Sequence, residues 1–265
     1  MQPTISVYTS AFNVVKNQFN IFEYIRHVVN LADEVVISVN KSEDNTLEIF
    51  KDYATDFPII KIIESDFSYT DPLLDGKCKN NALQHTTGDI KIQLDLDEYV
   101  NIDNVEAWKR IAYALFTHPN FDAVMIPVLN IYKDLEHVKS IGQKWYMHKP
   151  GLFRGPVNFG KLDNGHVDVN KSDTTELIDK DGNLVKTVYL LDPNLQIDGK
   201  THLIKELSLP YVIHTGYLDL QDRITRNKNF WKEHWSLEAG KDVYIPLTTE
   251  ELDKDINFEH KLNVD

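Results

Sequence analysis

Apolar positions in the first part of the chain change period repeatedly, and the changes mark out its elements. Ile5-Ser6-Val7-Tyr8-Thr9 is a short apolar run that breaks into polar Ser10-Ala11-Phe12-Asn13, which predicts a strand and its tip. Phe19, Phe22, Ile25, Val29 and Ala32 then recur at three- and four-residue spacing, the stripe of a helix with one apolar face. Glu34 to Val39 is β-branched, a second strand ending in Asn40-Lys41-Ser42-Glu43-Asp44-Asn45-Thr46. Leu47, Phe50 and Ala54 mark the next helix, which Pro58 closes. Ile59 to Ile63 is a third strand, Asp75 to His85 is helical, and Thr86-Thr87-Gly88-Asp89 turns into a fourth strand. Strands alternating with helices predict an α/β fold with a parallel sheet and crossover helices.

The fourth strand is the most informative stretch. In Ile90-Lys91-Ile92-Gln93-Leu94-Asp95-Leu96-Asp97-Glu98-Tyr99, apolar and polar residues alternate with the period of a strand. If that strand runs to its end, Asp95 and Asp97 emerge from one face. Carboxylates held that close repel unless a cation lies between them, so the pair reads either as a divalent-metal site or as an acidic turn. Ligands of such sheets sit at the carboxyl ends of the strands. Thr9–Asn13, Asn40–Thr46 and Asp95–Glu98 are the polar tips, and they would converge on one crevice. Lys91 and Gln93 are out of place in a strand covered on both faces; either one face is thinly covered or these side chains reach toward a ligand.

Farther along, Val105, Trp108, Ile111, Ala112 and Leu115 predict another amphipathic helix. Ala123–Leu129 and Lys144–His148 read as strands, and Leu177–Leu191 as a hairpin around Lys180-Asp181-Gly182-Asn183. A helix is expected from Gln221 to Trp235. No repeat or linker interrupts the chain, which predicts one domain with a C-terminal extension.

Composition narrows the partners. The net charge of −13 over 265 residues argues against nucleic acid, which demands a basic footprint, but not against a nucleotide held by a cation. A single cysteine, Cys78, excludes an internal disulfide and suits a reducing compartment. No apolar run approaches the ~18 residues of a membrane span, and Met1–Val7 lacks the features of a signal peptide. The expectation is a cytoplasmic protein.

Several motifs together resemble the family 2-type glycosyltransferases. Thr9-Ser10-Ala11-Phe12-Asn13 is similar to the family's opening Thr-Ser-Tyr-Asn segment, with one extra residue. Val39-Asn40-Lys41-Ser42-Glu43-Asp44-Asn45-Thr46 keeps the Ser, Asp and Thr of the family's second strand end and lacks both leading aspartates. Lys79-Asn80 stands where the family has Arg-Asn, and Gly88-Asp89-Ile90 through Leu94-Asp95-Leu96-Asp97 meets the signature that ends Asp-x-Asp. Ile213-His214-Thr215-Gly216-Tyr217, followed by Arg223, Arg226-Asn227 and Lys228, resembles a later His-x-Gly-Tyr element and basic helix.

The resemblance implies a GT-A fold over residues 1–215, with 1–100 as the nucleotide-sugar half and 101–215 as the acceptor half. Residues 216–265 would form a helical extension packed on the same domain. It implies transfer from a nucleotide diphosphate sugar, most simply UDP-linked, to a hydroxyl of a glycan or other acceptor, with inversion. Mn²⁺ or Mg²⁺ would be held by Asp97, with Asp95 on the ribose or a metal-bound water and His214 as a further ligand or an ordinary hydrogen-bonded histidine. Thr9, Ser10, Asn13, Asn40, Ser42 and Asp44 would form the nucleotide pocket, although Asp44 equally suits a helix cap. Lys79 would contact the nucleotide or sit in solvent, and Arg223, Arg226 and Lys228 would form a basic lid or a solvated face. The general base would be Asp168, with Asp163 as competitor. Two other readings stay open: a nucleotidyltransferase, which expects a glycine-rich loop that Thr9–Asn13 lacks, and an inactive carbohydrate- or partner-binding protein.

Overall fold

The computed structural model describes residues 1–71, 73–100, 102–132, 134–139, 147–154 and 210–233, with short stretches of 177–189 and 236–261. β1 (Ile5–Ala11), α1 (Ile21–Leu31), β2 (Glu34–Asn40), α2 (Thr46–Asp56), β3 (Ile60–Ser65), α3 (Leu74–Gln84) and β4 (Ile90–Gln93) follow in alternation. Their strands lie in the order β3-β2-β1-β4, all parallel. β5 (Glu98–Val100), α4 (Val105–Thr117), β6 (Ala123–Tyr132), β7 (Asp134–Lys139) and β8 (Met147–Arg154) come next. The short strands β9 (Leu177–Ile178), β10 (Leu184–Val185) and β11 (Thr187–Tyr189) precede β12 (Val212–Tyr217), α5 (Leu220–Arg226) and β13 (Glu259–Lys261).

β8 pairs antiparallel with both β4 and β6, so β4 is the seam between a parallel and an antiparallel half. The chain leaves β1 toward β2 and returns from β3 to β4 on the other side. The crevice between the carboxyl ends of β1 and β4 is therefore a topological switch point, where α/β sheets bind ligands. This mixed, mostly parallel sheet with flanking helices is the architecture expected of the GT-A class.

Alternation within the strands fills both faces of the sheet. Val7, Val35, Ile37 and Ile92 pack with Ile21, Tyr24, Ile25 and Val28 of α1, Phe50 of α2 and Trp108 of α4. Tyr8, Val36 and Phe153 face the other way, against Ala82 and Leu83 of α3. α1 buries Ile21, Tyr24, Ile25, Val28 and Leu31, and Phe19, Val29 and Ala32 of the expected stripe pack against the same core. Phe22 is 60% exposed and Phe19 precedes the helix, because Asn20 caps it by accepting from the Glu23 amide at 3.3 Å.

At the amino end of the sheet the Glu34 carboxylate accepts from Ser6 Oγ, the Thr87 amide (2.7 Å), Thr87 Oγ1 (3.0 Å) and Lys61 Nζ. Burial alone would raise its pKa, but Lys61, Ser6 and Thr87 pull it down to about 2. Gly88 lets the turn before β4 close on β1, since a Cβ there would lie 2.6 Å from Ser6 Oγ and 2.7 Å from the Ser6 amide nitrogen.

One expectation fails at the opposite end. The fourth strand stops at Gln93, and Leu94–Asp97 turns away, so the two aspartates do not emerge from one strand face. The Asp95 amide donates to Glu98 Oε2 (2.8 Å) and the Glu98 amide donates to the Asp95 carbonyl (2.9 Å). Glu98 thus satisfies the backbone that a longer strand would have paired in the sheet. The Lys144–His148 strand is found as β8, beginning at Met147, and residues 144–146 lie outside the described residues. β9 and β10 pair antiparallel, as a hairpin over this stretch requires; its turn residues 179–183 are also outside. The C-terminal helix begins as expected, but Asn227–Trp231 widens into a π-helical turn.

Candidate active site

A cavity of about 260 Å³ opens at the switch point, bounded by the ends of β1 and β4, by α3, β6, β8 and β12, and by α5. Its chemistry begins with Lys79, which is only 1% exposed yet charged. α3 places it one turn after Asp75, and its ammonium bridges Asp75 Oδ2 (2.6 Å) and Asp95 Oδ1 (2.8 Å). Ser10 Oγ, at the tip of β1, donates to Asp75 at 2.6 Å, and Gln93 Nε2 donates to Asp95 Oδ1 at 2.8 Å. Gln93 therefore belongs in β4 because it braces the aspartate that follows. Burial pushes the Asp95 pKa up, but Lys79 and then Lys149 outweigh it and hold the carboxyl well below its usual range.

Glu98 accepts from Lys149 Nζ with the same oxygen that takes the Asp95 amide, and Lys149 is 3% exposed on β8. Asp97 is served from the far side. Arg226 of α5 donates to its Oδ2 at 2.8 Å, and His214 Nε2 lies 3.5 Å from the same oxygen. Burial would raise the Asp97 pKa, but His214, Arg226 and Arg223 together drive it far below the carboxylate range. Thr215 fixes the turn, its amide donating to the Asp97 carbonyl at 2.8 Å. Arg226 also lies over the Phe19 ring and Arg223 over the Tyr217 ring, each with its guanidinium carbon 4.8 Å from the centroid.

Of the residues singled out from the sequence, Ser10, Lys79, Asp95, Asp97, His214, Arg223 and Arg226 line this cavity. Thr9, Asn13, Asn40, Ser42 and Asp44 are not among its walls; all but Thr9 bind the loops to one another. Asn13 adopts φ 45°, a left-handed conformation that asparagine tolerates, and its Oδ1 accepts from the Glu43 amide at 2.7 Å. Ser42 Oγ takes the Asn13 amide at 3.0 Å. Asp44 accepts the Lys16 amide (2.8 Å) and the amide of Thr46, first residue of α2 (3.1 Å). Asn40, 1% exposed, uses Oδ1 on the Phe67 amide (2.8 Å) and Ser65 Oγ (3.1 Å), and Nδ2 on the Phe67 carbonyl (3.1 Å). Thr9 is fully buried in β1. Asp168 and Asp163 lie outside the described residues.

The structure adds Asp75, Asn130 and Lys149, which the sequence had not marked, and Phe12, Phe19, Phe230 and Trp231 complete the lining with aromatic rings. Phe230 approaches Phe12 and Tyr69 (ring centroids 5.9 Å apart in each case), and Tyr69 Oη donates to the Asn229 carbonyl at 3.0 Å. The π-helical turn after α5 is thereby fastened to the loops that follow β1 and β3. Among the described residues no helix is long and apolar enough to cross a membrane.

A cavity at the switch point of an α/β sheet, walled by charged groups of both signs, stands where such sheets bind ligands. The chain belongs to glycosyl transferase family 2, whose family model matches residues 6–150, and its domain is a glycosyltransferase domain of the GT-A fold. No curated protein sequence matches it. Among solved structures, S. aureus TarS is similar at 22% identity over 53% of this chain and 24% of that one, with a TM-score of 0.37. Its 1–349 portion aligns at 16% identity over 94% and 77% of the two chains, with a TM-score of 0.46. The mannosyltransferase PcManGT from Pyrobaculum calidifontis, in complex with GDP-Man and Mn²⁺, aligns at 16% identity over 97% and 70%, with a TM-score of 0.45. The chain thus spans about a quarter of the full TarS chain.

Proposed function

We propose that this chain transfers a sugar from a nucleotide diphosphate sugar, UDP-linked, to a hydroxyl of a glycan or other acceptor, with inversion and with a divalent cation bound. The observation that carries this reading is the facing pair of Asp97 Oδ2 and His214 Nε2, 3.5 Å apart with Gly216 beside them. Adjacent donors around an octahedral ion bonded at ~2.1 Å lie ~3 Å apart, so the pair fits a cation with little adjustment. A Cβ at position 216 would fall 2.6 Å from Nε2 and 3.0 Å from Oδ2, inside the same gap. Among the described residues no third His, Cys, Asp or Glu joins them. Diphosphate and water oxygens would supply the remaining ligands, as is usual for such ions. Imidazole in the donor set favours Mn²⁺ over Mg²⁺.

When bound, the cation supplies Lewis-acid stabilisation of the departing diphosphate. The chain's own residues do the rest. Among the described residues, four acidic side chains (Asp75, Asp95, Asp97, Glu98) and four basic ones (Lys79, Lys149, Arg223, Arg226) line the cavity, so these walls carry charges of both signs in equal number. A dianionic diphosphate alone or a divalent ion alone upsets that balance, whereas the two together preserve it. Lys79 keeps Asp95 ionised beside the ribose or a metal-bound water. Asp97 would hold the ion, and Arg226, now paired with it, would with Arg223 meet the leaving phosphates. Asp168 is assigned as the base that takes the acceptor proton.

Incubation with UDP-sugars and Mn²⁺ should give slow donor hydrolysis that EDTA and Asp97→Asn both abolish. Turnover that survives both would overturn the reading, and NMR of the anomeric product from a competent acceptor tests inversion.

A further inference from the structure

Behind His214 lies an arrangement that donor binding itself does not require. Register pairs His214 of β12 directly with Asn130 of the parallel strand β6. The imidazole Nδ1 lies 2.6 Å from Asn130 Oδ1. A carbonyl oxygen can only accept, so Nδ1 carries the hydrogen and the ring turns Nε2 toward Asp97. Asn130 is 2% exposed, and its Nδ2 is buried with no hydrogen-bond partner among the described residues. A half-satisfied buried amide costs free energy, and an apolar residue of the same shape would avoid that cost. Immediately after His214 the pairing with β6 shifts register, which brings Gly216 rather than a side chain against the front of the ring. The imidazole is held from behind and left open in front.

We propose that Asn130 is a positioning residue for His214, keeping Nε2 aimed at the cation site shared with Asp97. The proposal rests on the reading of His214 as a metal ligand. Partners of this kind, which hold a ligating histidine by its other ring nitrogen, change metal affinity by about 10–100-fold when removed.

The test is direct Mn²⁺ binding in the presence of UDP, read from the EPR signal of free Mn²⁺, with no turnover involved. Asn130→Leu should weaken Mn²⁺ by at least about tenfold, while the far-UV spectrum stays unchanged. Asn130→Asp, which keeps an acceptor oxygen in place, should restore affinity to within a few-fold of the parent. If Asn130→Leu does not fold, Asn130→Ser, too short to reach Nδ1, takes its place with the same expected loss. The double variant with His214→Ala should lose no more than His214→Ala alone. If His214→Ala weakens Mn²⁺ binding and the Asn130 variants do not, the positioning role is overturned and the ligand reading survives. If His214→Ala itself leaves Mn²⁺ affinity unchanged, the ligand reading falls, and the positioning role falls with it.

Discussion

Replacing Lys79 by Met keeps most of the side-chain volume and removes the charge of an ammonium that is almost fully buried. In the parent, the ammonium is 2.6 Å from Asp75 and 2.8 Å from Asp95. Their side chains are only 14% and 35% exposed, so water cannot fully take over. Breaking a buried pair by deleting one partner typically costs about 3–5 kcal/mol, because the other charge remains. Asp95 keeps help from Lys149 and opens partly to the cavity, which places the expected loss at the lower end, about 3 kcal/mol at pH 7. For a chain of this size that is a fall in Tm on the order of 10 °C. The pH dependence separates this from a packing defect. In the parent, the Asp95 pKa is depressed, so its contribution is present above the unfolded value of 3.8 and is lost as pH falls through the folded value. In Lys79→Met the uncompensated carboxylates take up protons more readily than in the unfolded chain, so acid relieves the damage. Urea denaturation of both proteins from pH 8 to pH 4 should show a difference that shrinks steadily toward acid. A difference constant with pH, or below about 1 kcal/mol at pH 7, would refute the claim that Lys79 serves those two carboxylates.

Glu34→Gln tests the opposite end of the sheet. The parent pKa is lowered from 4.5 to about 2, a stabilisation present above pH 4.5 and lost as pH falls toward 2. Lys61 is half exposed and screened, so the expected loss at pH 7 is about 2 kcal/mol, less than the ~3 that the shift alone converts to. The variant should also have a flatter acid limb in urea melts; an unchanged limb would contradict the assignment. Gly216→Ala places a methyl group in the gap between His214 and Asp97 and should weaken Mn²⁺ at least about tenfold in the presence of UDP. Unaltered affinity would show that the ion does not sit there.

The parallel half of the fold was legible because its signals are local. The alternation of β1 to β4 and the stripes between them follow from neighbours a few residues apart. Within the α1 stripe only Phe22 was misread, since it stands 60% exposed at the edge of the face that Ile21 and Tyr24 bury. The end of β4 was misread because alternation continues through Leu96, whereas the Glu98 carboxylate, arriving from three residues ahead, captures the Asp95 amide first. Within the site, Asp95, Asp97, His214 and Lys79 could be marked by motif and residue type. Burial of Lys79 could not, since it depends on Asp75 and Asp95 meeting across α3 and the β4 turn. Asn130 and Lys149 lie in β6 and β8, and their roles exist only through pairing with β12 and proximity to Glu98. The one available hint was a polar residue interrupting an apolar strand, as Gln93 does in β4. Asn13, Asn40, Ser42 and Asp44 carry the polar signature of a binding loop, yet their hydrogen bonds go to holding the loops in shape.

A cavity whose described walls balance in charge should admit a divalent ion and a nucleotide diphosphate as a pair. Titration calorimetry of Mn²⁺ alone, UDP alone, and each in the presence of the other measures that coupling directly. Each alone should bind weakly, each should tighten the other at least about tenfold by the same factor in both directions, and the coupling should be lost in Asp97→Asn. Independent binding of the two ligands, or coupling that persists without the Asp97 carboxylate, would contradict that pairing.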